Sequence, residues 1–356
     1  MQLKINPEQI NPQMLVLARE SRGLTQSELA KMLSIGQAKM SKIENGFISL
    51  SARELMKLSD LLNYPDHFFT QADPIYGPEI SEVFHRKRQT ISLKLIKKIH
   101  ALINLRYMHV DRLLKSTDIG NLDIFPMEIE EYETVEEVAR VTRAAWRLPS
   151  GPIQNVLGTI ENAGGIVIPC DFETKKIDAI SRWIPGLPPL FFINNSAPMD
   201  RLRFTLSHEL GHIIMHRIPN SDMEKQADAF AAEFLMPAKE IKASLDNLSL
   251  ERLAALKQYW KVSMASILYR ARSLNKITEN QARYLWAQMG RLGYKTREPA
   301  WMDPPKEQPM LLNELVKFHL SDLKYTIPQL SKMLALTETE TRYLYLNQSR
   351  HLKVLK

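Results

Sequence analysis

Two histidines four residues apart, His208 and His212, are well suited to bind a metal ion. On an α-helix this spacing places both imidazoles on one face, a little over one turn apart. Two neutral imidazoles so placed can share one Zn²⁺ at about 2.0–2.1 Å per bond. Glu209 is rotated by roughly 100° from His208, so it borders the ion without binding it and can act as a general base. This H-E-x-x-H pattern predicts a zinc-dependent hydrolase site.

A hydrolytic zinc site also needs a third protein ligand, which a downstream carboxylate can supply. Glu224 follows His212 by 12 residues (224 − 212), and a helix through Glu224 and Asp228 would place both carboxylates on one face. We expect Glu224 to complete the ligand set. We expect Asp228 to accept a hydrogen bond from a ligand histidine and so fix its tautomer. Asp228 and Glu233 are the alternatives for the third ligand.

His216 continues the same row of histidines. It would lie roughly 12 Å along the helix axis from His208, at about 1.5 Å per residue, which is too far for one ion to bind both. We therefore expect His216 to be structural or to lie near the end of the helix. Leu206, Leu210 and Ile214 recur at helical spacing and predict that another side of this helix packs in a core.

The stretch from Arg203 to His212, followed by residues 224–237, resembles the ImmA/IrrE family of metallopeptidases. The resemblance covers about residues 135–275. It implies a gluzincin-like domain in which two histidines and a downstream glutamate surround zinc. It also implies cleavage of repressor proteins, which releases phage, mobile-element or stress genes. Within such a domain we expect a strand at Leu190–Asn194 to hold an extended substrate by main-chain hydrogen bonds.

The first 70 residues contain four short helical patterns separated by tight breaks. Thr25 and Glu28 form a capping box that opens the second helix, and a short turn at 34–36 precedes a third helix at 37–44. Two short helices joined by such a turn are typical of a helix-turn-helix. The exposed side chains of the third helix, with one amide at the start of the second, can contact base edges or phosphates. The predicted DNA contacts are Gln26, Gln37, Ala38, Lys39, Ser41 and Lys42.

Residues 24–30 and 40–46 resemble the XRE, or lambda-repressor-like, DNA-binding family, and the resemblance covers about residues 12–66. It implies binding to double-stranded operator DNA, usually as a homodimer on two half-sites. The alternative is a helical protein-interaction module, because positive and negative charges are nearly balanced in this segment. We favour DNA binding because the residues on the recognition face are of the right types.

Composition sets limits on the whole chain. The net charge of +7 is consistent with a polyanionic partner but does not require one. Cys170 is the only cysteine, which excludes an intramolecular disulfide and favours a reducing cytoplasm. We expect Cys170 to be a small buried residue. No apolar run reaches membrane-spanning length, so we expect a soluble protein without a membrane partner.

The predicted fold is mainly α with a small α+β part. Turn formers at residues 73–78 predict a boundary after the amino-terminal helices. A basic run at 84–88, continued by Lys94, Lys97 and Lys98, either follows a DNA backbone or forms a solvated helix face. The predicted organisation is a helix-turn-helix domain at 1–70, a helical connector at 71–134, a zinc peptidase domain at 135–275 and a helical extension at 276–356.

Strands are predicted at Ile166–Ile168, Ile177–Trp183 and Pro189–Asn194, and one long helix at Leu250–Leu274. In the extension, residues 325–342 weakly resemble the first helix-turn-helix, but the second helix is acidic. We expect this segment to be a packing or dimerisation module rather than a second DNA-binding one.

Two functions fit these patterns. The first is a regulator that binds operator DNA and hydrolyses a peptide bond in a repressor or antitoxin-like partner. The second is a DNA-binding antitoxin or repressor whose peptidase-like domain only binds a protein partner. A weaker third possibility is self-cleavage at residues 73–78.

Overall fold

The computed structural model describes residues 10–77, 91–117, 120 and 122–346. Contacts divide the chain into two compact units, one formed by residues up to 118 together with those from 312 onwards, the other by residues 119–311. The fold is mainly helical with a small sheet, as the sequence predicts. The basic run predicted at 84–88 lies outside the described residues. Among the helices of the described chain, none combines the length and apolarity needed to cross a membrane.

The first unit begins with four short helices and a longer fifth one. Asn11 caps the first helix, and Thr25 and Ser51 open the second and fourth with capping boxes, which satisfy amides left free at helix starts. Ser34 ends the second helix in a left-handed conformation (φ 63°). The helices are α1 (Pro12–Ser21), α2 (Gln26–Leu33), α3 (Gln37–Glu44), α4 (Ala52–Leu62) and α5 (Leu93–Leu114).

The turn-rich stretch between α4 and α5 packs within the first unit rather than separating two units. The side chain of Asn104 on α5 bonds the backbone N–H and C=O of Tyr76, at 2.8 and 3.1 Å. Arg112, also on α5, donates to Asp73 over 2.6 Å. Turn formers marked an irregular backbone correctly, but side chains of α5 satisfy its polar groups and hold it in place.

The second unit contains a three-stranded sheet flanked by helices. The strands run in the order β1-β3-β2, with β1 parallel and β2 antiparallel to β3. Every residue of β3 is buried. The elements are α6 (Val135–Ala145), α7 (Val156–Asn162), β1 (Ile166–Cys170), β2 (Ala179–Arg182), β3 (Leu190–Asn194), α8 (Met199–Met215), α9 (Met223–Leu235), α10 (Ala238–Ile241), α11 (Leu250–Trp260), α12 (Met264–Ser273) and α13 (Glu279–Arg291).

The helix predicted at Leu250–Leu274 is in fact two helices. Lys261 ends α11 in a left-handed conformation (φ 58°), and Ser263 starts α12 by accepting a hydrogen bond from the N–H of Ser266. The apolar spacing continues through the break, because both helices bury residues in one core. The period of the apolar residues therefore does not reveal the break.

Three further elements follow the second unit's helices. They are α14 (Leu311–Ser321), α15 (Ile327–Leu334) and α16 (Glu338–Thr341), and a π-helical turn at Arg342–Leu346 continues α16. From residue 312 onwards this segment belongs to the first unit. Residues 276–311 belong to the second unit, so the extension predicted at 276–356 is divided between the two. The sequence marked only the proline-rich stretch after α13, and proline shows where a helix ends, not which unit the next helix joins.

Candidate metal centre

The three side chains assigned to metal from the sequence lie together. Nε2 of His208 and Nε2 of His212 are 3.0 Å apart, and Oε1 of Glu224 is 3.4 Å from Nε2 of His212. One ligand atom from each of the three lies within 4.8 Å of the others. Four ligands arranged tetrahedrally around zinc at about 2.0–2.1 Å lie roughly 3.3 Å from one another. The spacing of these atoms suits a single ion.

Close packing of α9 on α8 positions the carboxylate. Gly211 lies between the two histidines of α8, and a Cβ added there would lie 3.1 Å from Cδ1 of Phe230 on α9. This is tighter than ordinary contact, so the absence of a side chain lets α9 approach. Glu224 lies in the first turn of α9, and its Oε1 reaches the histidine row of α8.

The donor set and its charge both fit a cation. Nδ1 of His208 lies 2.8 Å from Oδ1 of Asp228, so Nδ1 carries the hydrogen and Nε2 presents its lone pair. Burial opposes charge on this ring, but the hydrogen bond with Asp228 and the carboxylates of Glu209 and Glu224 raise the pKa of His208 above its usual value. The negative field that favours a proton there also favours a metal ion. Two imidazoles and one carboxylate are the ligands of one class of catalytic zinc site.

His216 lies just beyond the last residue of α8 and contacts one of the candidate ligands. Its Nδ1 is 2.9 Å from Nδ1 of His212, and its Nε2 is 3.0 Å from Oε1 of Gln226. Burial and the neighbouring His212 lower the pKa of His216 to about 4, so this ring is neutral near pH 7. It supports the orientation of His212 from the side away from Glu224.

Glu209 is fully buried, and the sheet holds its carboxylate. Oε2 accepts hydrogen bonds from the backbone N–H of Ser181, at 2.9 Å, and from its hydroxyl, at 2.6 Å. Ser181 lies on β2, which places this strand directly beside the candidate general base. The hydroxyl and the amide fix one orientation of the carboxylate.

Comparisons with protein families agree with this geometry. Residues 160–272 match the family model of the IrrE N-terminal-like domain, a peptidase family, and residues 15–69 match a helix-turn-helix family model. The chain joins an XRE-type helix-turn-helix domain to an IrrE-like peptidase domain. A search of curated proteins finds no match to this chain. The two resemblances seen in the sequence are thereby confirmed.

Within the IrrE-like domain, the alternative third ligands are engaged elsewhere. Glu233 is buried in an ion pair with Arg270 and also accepts a hydrogen bond from the N–H of Ala238 at 3.2 Å. Asp228 contacts Nδ1 of His208, the ring atom that faces away from His212. Neither carboxylate joins the group of His208, His212 and Glu224.

Buried ion pairs fix the start of α8 in the IrrE-like domain. Asp200 pairs with Lys257, whose ammonium also lies 2.8 Å from Glu298. Arg203 is fully buried, pairs with Glu307 and donates to the backbone oxygen of Ile153. Glu298 and Glu307 lie beyond the part of the chain that matches the IrrE-like family, so the segment after α12 helps to hold this helix.

The expectation that Leu190–Asn194 binds substrate was wrong. These residues form β3, the central strand, whose backbone is paired with β1 on one side and β2 on the other. A central strand has no open edge to accept an additional strand. Of the strands in the described chain, β2 is the edge strand that contacts the candidate base.

The helix-turn-helix domain exposes most of the predicted DNA contacts. Gln37, Ala38, Lys39 and Lys42 are exposed on α3, and Ser41 is half-buried. Lys39 also pairs with Glu54 on α4 at 2.5 Å. The amide of Gln26 donates to Glu44 over 2.9 Å, and Arg19 holds the same carboxylate at 2.6 Å. Gln26 therefore fixes α2 against α3, while the exposed α3 side chains face outward.

Sequence reasoning missed Ser181, Gln226 and the ion-pair partners of α8. Each acts through a contact that crosses many residues, such as the 28 positions between Ser181 and Glu209. No local spacing encodes such a contact.

Proposed function

We propose that this protein is a transcriptional regulator that binds operator DNA and hydrolyses a peptide bond in a partner protein at a zinc site. The observation that carries the proposal is the convergence of His208, His212 and Glu224 beside the buried carboxylate of Glu209. The DNA-binding part rests on the family match of residues 15–69 and on the exposed polar face of α3.

His208, His212 and Glu224 would hold the ion, and a bound zinc would supply Lewis acidity to polarise the peptide carbonyl and to acidify water. Glu209 takes the proton of the attacking water and returns it to the departing amine nitrogen. Ser181 keeps the carboxylate of Glu209 in one orientation by two hydrogen bonds. Asp228 fixes the tautomer of His208, and His216 supports His212.

An extended segment of the substrate would lie beside β2, where backbone groups of an edge strand can pair with it. Because the amino-terminal domain is a helix-turn-helix, we propose a repressor or an antitoxin-like protein as the substrate. Cleavage would then remove a DNA-bound or toxin-bound partner and change transcription.

The test uses the full chain with zinc and a peptide library prepared from whole-cell protein, and mass spectrometry detects new amino termini. The unmodified protein should generate new termini at a common sequence pattern. Glu209→Gln should retain zinc and lose cleavage by about 10²–10⁴-fold, because only the proton transfer is removed. The matched control is the variant Glu251→Gln, which changes an exposed residue on α11 and should cleave normally.

Undiminished cleavage by Glu209→Gln would contradict the assignment of the general base. A zinc-loaded protein that cleaves nothing but captures a partner would favour the rival function, in which the IrrE-like domain is only a binding platform.

A further inference from the structure

The carboxy-terminal segment repeats the backbone of the helix-turn-helix. Both α2 and α15 have eight residues, begin at a threonine capping box and end at a left-handed residue, Ser34 (φ 63°, ψ 40°) or Ala335 (φ 53°, ψ 41°). The next helix starts from Gly36 (φ −71°, ψ 146°) or Thr337 (φ −70°, ψ 154°). From the threonine cap to the start of the third helix, equivalent residues are 301 positions apart (335 − 34 = 301). We call residues 12–44 the first copy and residues 311–346 the second copy.

Hydrogen bonds and burial agree with this correspondence. In the turn of the first copy, the N–H of Ile35 donates to Ala30 over 3.0 Å; in the second copy, the N–H of Leu336 donates to Ser331 over 3.0 Å. Leucines at matching positions are buried in both copies. The pairs are Leu29 with Leu330 and Leu33 with Leu334.

The third helix differs between the copies in the residues that would face DNA. Glu338 takes the place of Gln37, Glu340 that of Lys39, and Tyr343 that of Lys42. The two glutamates repel phosphate, and all three replacements remove an amide or ammonium donor that could contact bases or backbone. The helix also changes to a π-helical turn after Thr341, whereas α3 is regular through all eight residues. A π turn rotates the following side chains and so changes the face they present.

The altered third helix of the second copy instead contacts the end of α1 and the helix α5. Glu340 pairs with Arg22, at the end of α1, over 2.7 Å. Tyr345 is buried, and its hydroxyl lies 2.6 Å from Nδ1 of His109 and 2.8 Å from Nη1 of Arg106, both on α5. The recognition side chains on α3 remain exposed, so this contact leaves the DNA-binding face open.

We propose that the second copy is a helix-turn-helix that does not bind DNA and serves as the built-in docking partner of α1 and α5. One chain then carries one recognition helix, and the DNA-binding unit needs both copies. An operator with two half-sites would require two chains. This inference goes beyond the proposed function and depends neither on the zinc site nor on peptide hydrolysis.

The first experiment compares matching positions of the two copies in the full chain. Duplexes selected by the unmodified protein from a randomised pool serve as the probe. Gln37→Ala and Lys42→Ala should each weaken DNA binding by about tenfold. Lys42→Ala should also reduce the slope of log affinity against log salt concentration by about one, the amount expected for one lost phosphate contact. Glu338→Ala and Tyr343→Ala, at the equivalent exposed positions, should change affinity by less than about twofold. A loss with Tyr343→Ala as large as that with Lys42→Ala would overturn the proposal.

The second experiment tests docking without DNA, by hydrogen exchange on the full chain. The double variant Glu340→Gln/Tyr345→Phe removes the ion pair with Arg22 and the hydroxyl contacts with Arg106 and His109. It should speed exchange of the most protected amides in α5 and α15 by about tenfold or more. The matched variant Glu314→Gln/Tyr343→Phe makes the same chemical changes at exposed positions and should leave exchange unaltered. Equal exchange in α5 for both double variants would show that the second copy does not dock there.

Discussion

Asp228 illustrates how one side chain can tune a metal ligand that it does not replace. Its side chain is 63% exposed, yet Oδ1 lies 2.8 Å from Nδ1 of the buried His208. The hydrogen bond orients the ring and directs the lone pair of Nε2 toward His212 and Glu224. The contribution of Asp228 should therefore appear in metal affinity rather than in folding.

We expect Asp228→Asn to weaken zinc affinity by about 10–100-fold, because an amide is a weaker acceptor and can present the wrong group to Nδ1. Competition with a zinc-binding dye measures the change. Asp222→Asn, at an exposed residue just before α9, is the control and should bind zinc normally. Unchanged affinity in Asp228→Asn would mean that this carboxylate has no part in the site.

At the residue scale, the sequence predicted those contacts that follow from the spacing of residues along one helix. His208 and His212 are four residues apart, and their convergence follows from helix geometry. Glu224 required the additional expectation that a second helix faces the first one. Ser181, Gln226 and Glu307 could not be predicted, because their positions depend on how strands and helices pack, and no spacing along the chain carries that information.

At the scale of elements, α8 is held in place by charges buried at its start. Lys257 is fully buried between Asp200 and Glu298. Burial opposes its charge, but hydrogen bonds with both carboxylates raise the pKa of Lys257. Such a cluster fixes the position of the helix, because removing one partner leaves the other buried charges without an opposite charge.

Lys257→Met should therefore lower the free energy of unfolding by about 3–5 kcal/mol, because two buried carboxylates lose their cation. Thermal unfolding followed by circular dichroism measures the loss. Lys306→Met makes the same change at an exposed position and should alter stability by less than about 0.5 kcal/mol. Equal stability of the two variants would contradict an anchoring role.

The helix α5 contains a buried histidine whose charge state links stability to pH. Burial, followed by the positive charges of Arg106 and Arg112, lowers the pKa of His109 well below 6.5. In the unfolded chain His109 takes up a proton near pH 6.5, whereas in the folded unit it stays neutral at that pH. The free energy of unfolding should then fall as pH drops below about 6.5, by up to about 1.4 kcal/mol per pH unit until the folded pKa is reached.

His109→Gln should remove this part of the pH dependence, because its side chain stays neutral. Urea denaturation of the unmodified protein and of His109→Gln is compared between about pH 7.5 and pH 5, with hydrogen exchange of the α5 amides as the readout. These pH limits lie about one unit or slightly more on either side of the usual histidine pKa. His100→Gln, at a half-exposed position on the same helix, is the control. Identical slopes for the unmodified protein and His109→Gln would show that His109 is not the titrating group.

At the scale of the whole molecule, the domain composition followed from sequence and the arrangement of segments did not. The capping box at Thr25 and the H-E-x-x-H spacing are local patterns, and both domains were recognised from them. That residues after 312 join the first unit, while residues 276–311 join the second, depends on contacts across more than 200 positions, such as that between Arg112 and Met333. The one indication in the sequence that this segment joins the first unit was the weak resemblance of residues 325–342 to the first helix-turn-helix.

The account depends most on whether His208, His212 and Glu224 bind one ion. Metal analysis of the purified full chain, combined with zinc titration, tests this directly. We predict close to one zinc per chain for the unmodified protein, loss of zinc in His208→Ala and in Glu224→Ala, and full retention in the matched variants His67→Ala and Glu251→Ala. A protein that binds no zinc, or that keeps its zinc in both His208→Ala and Glu224→Ala, would contradict the proposed site.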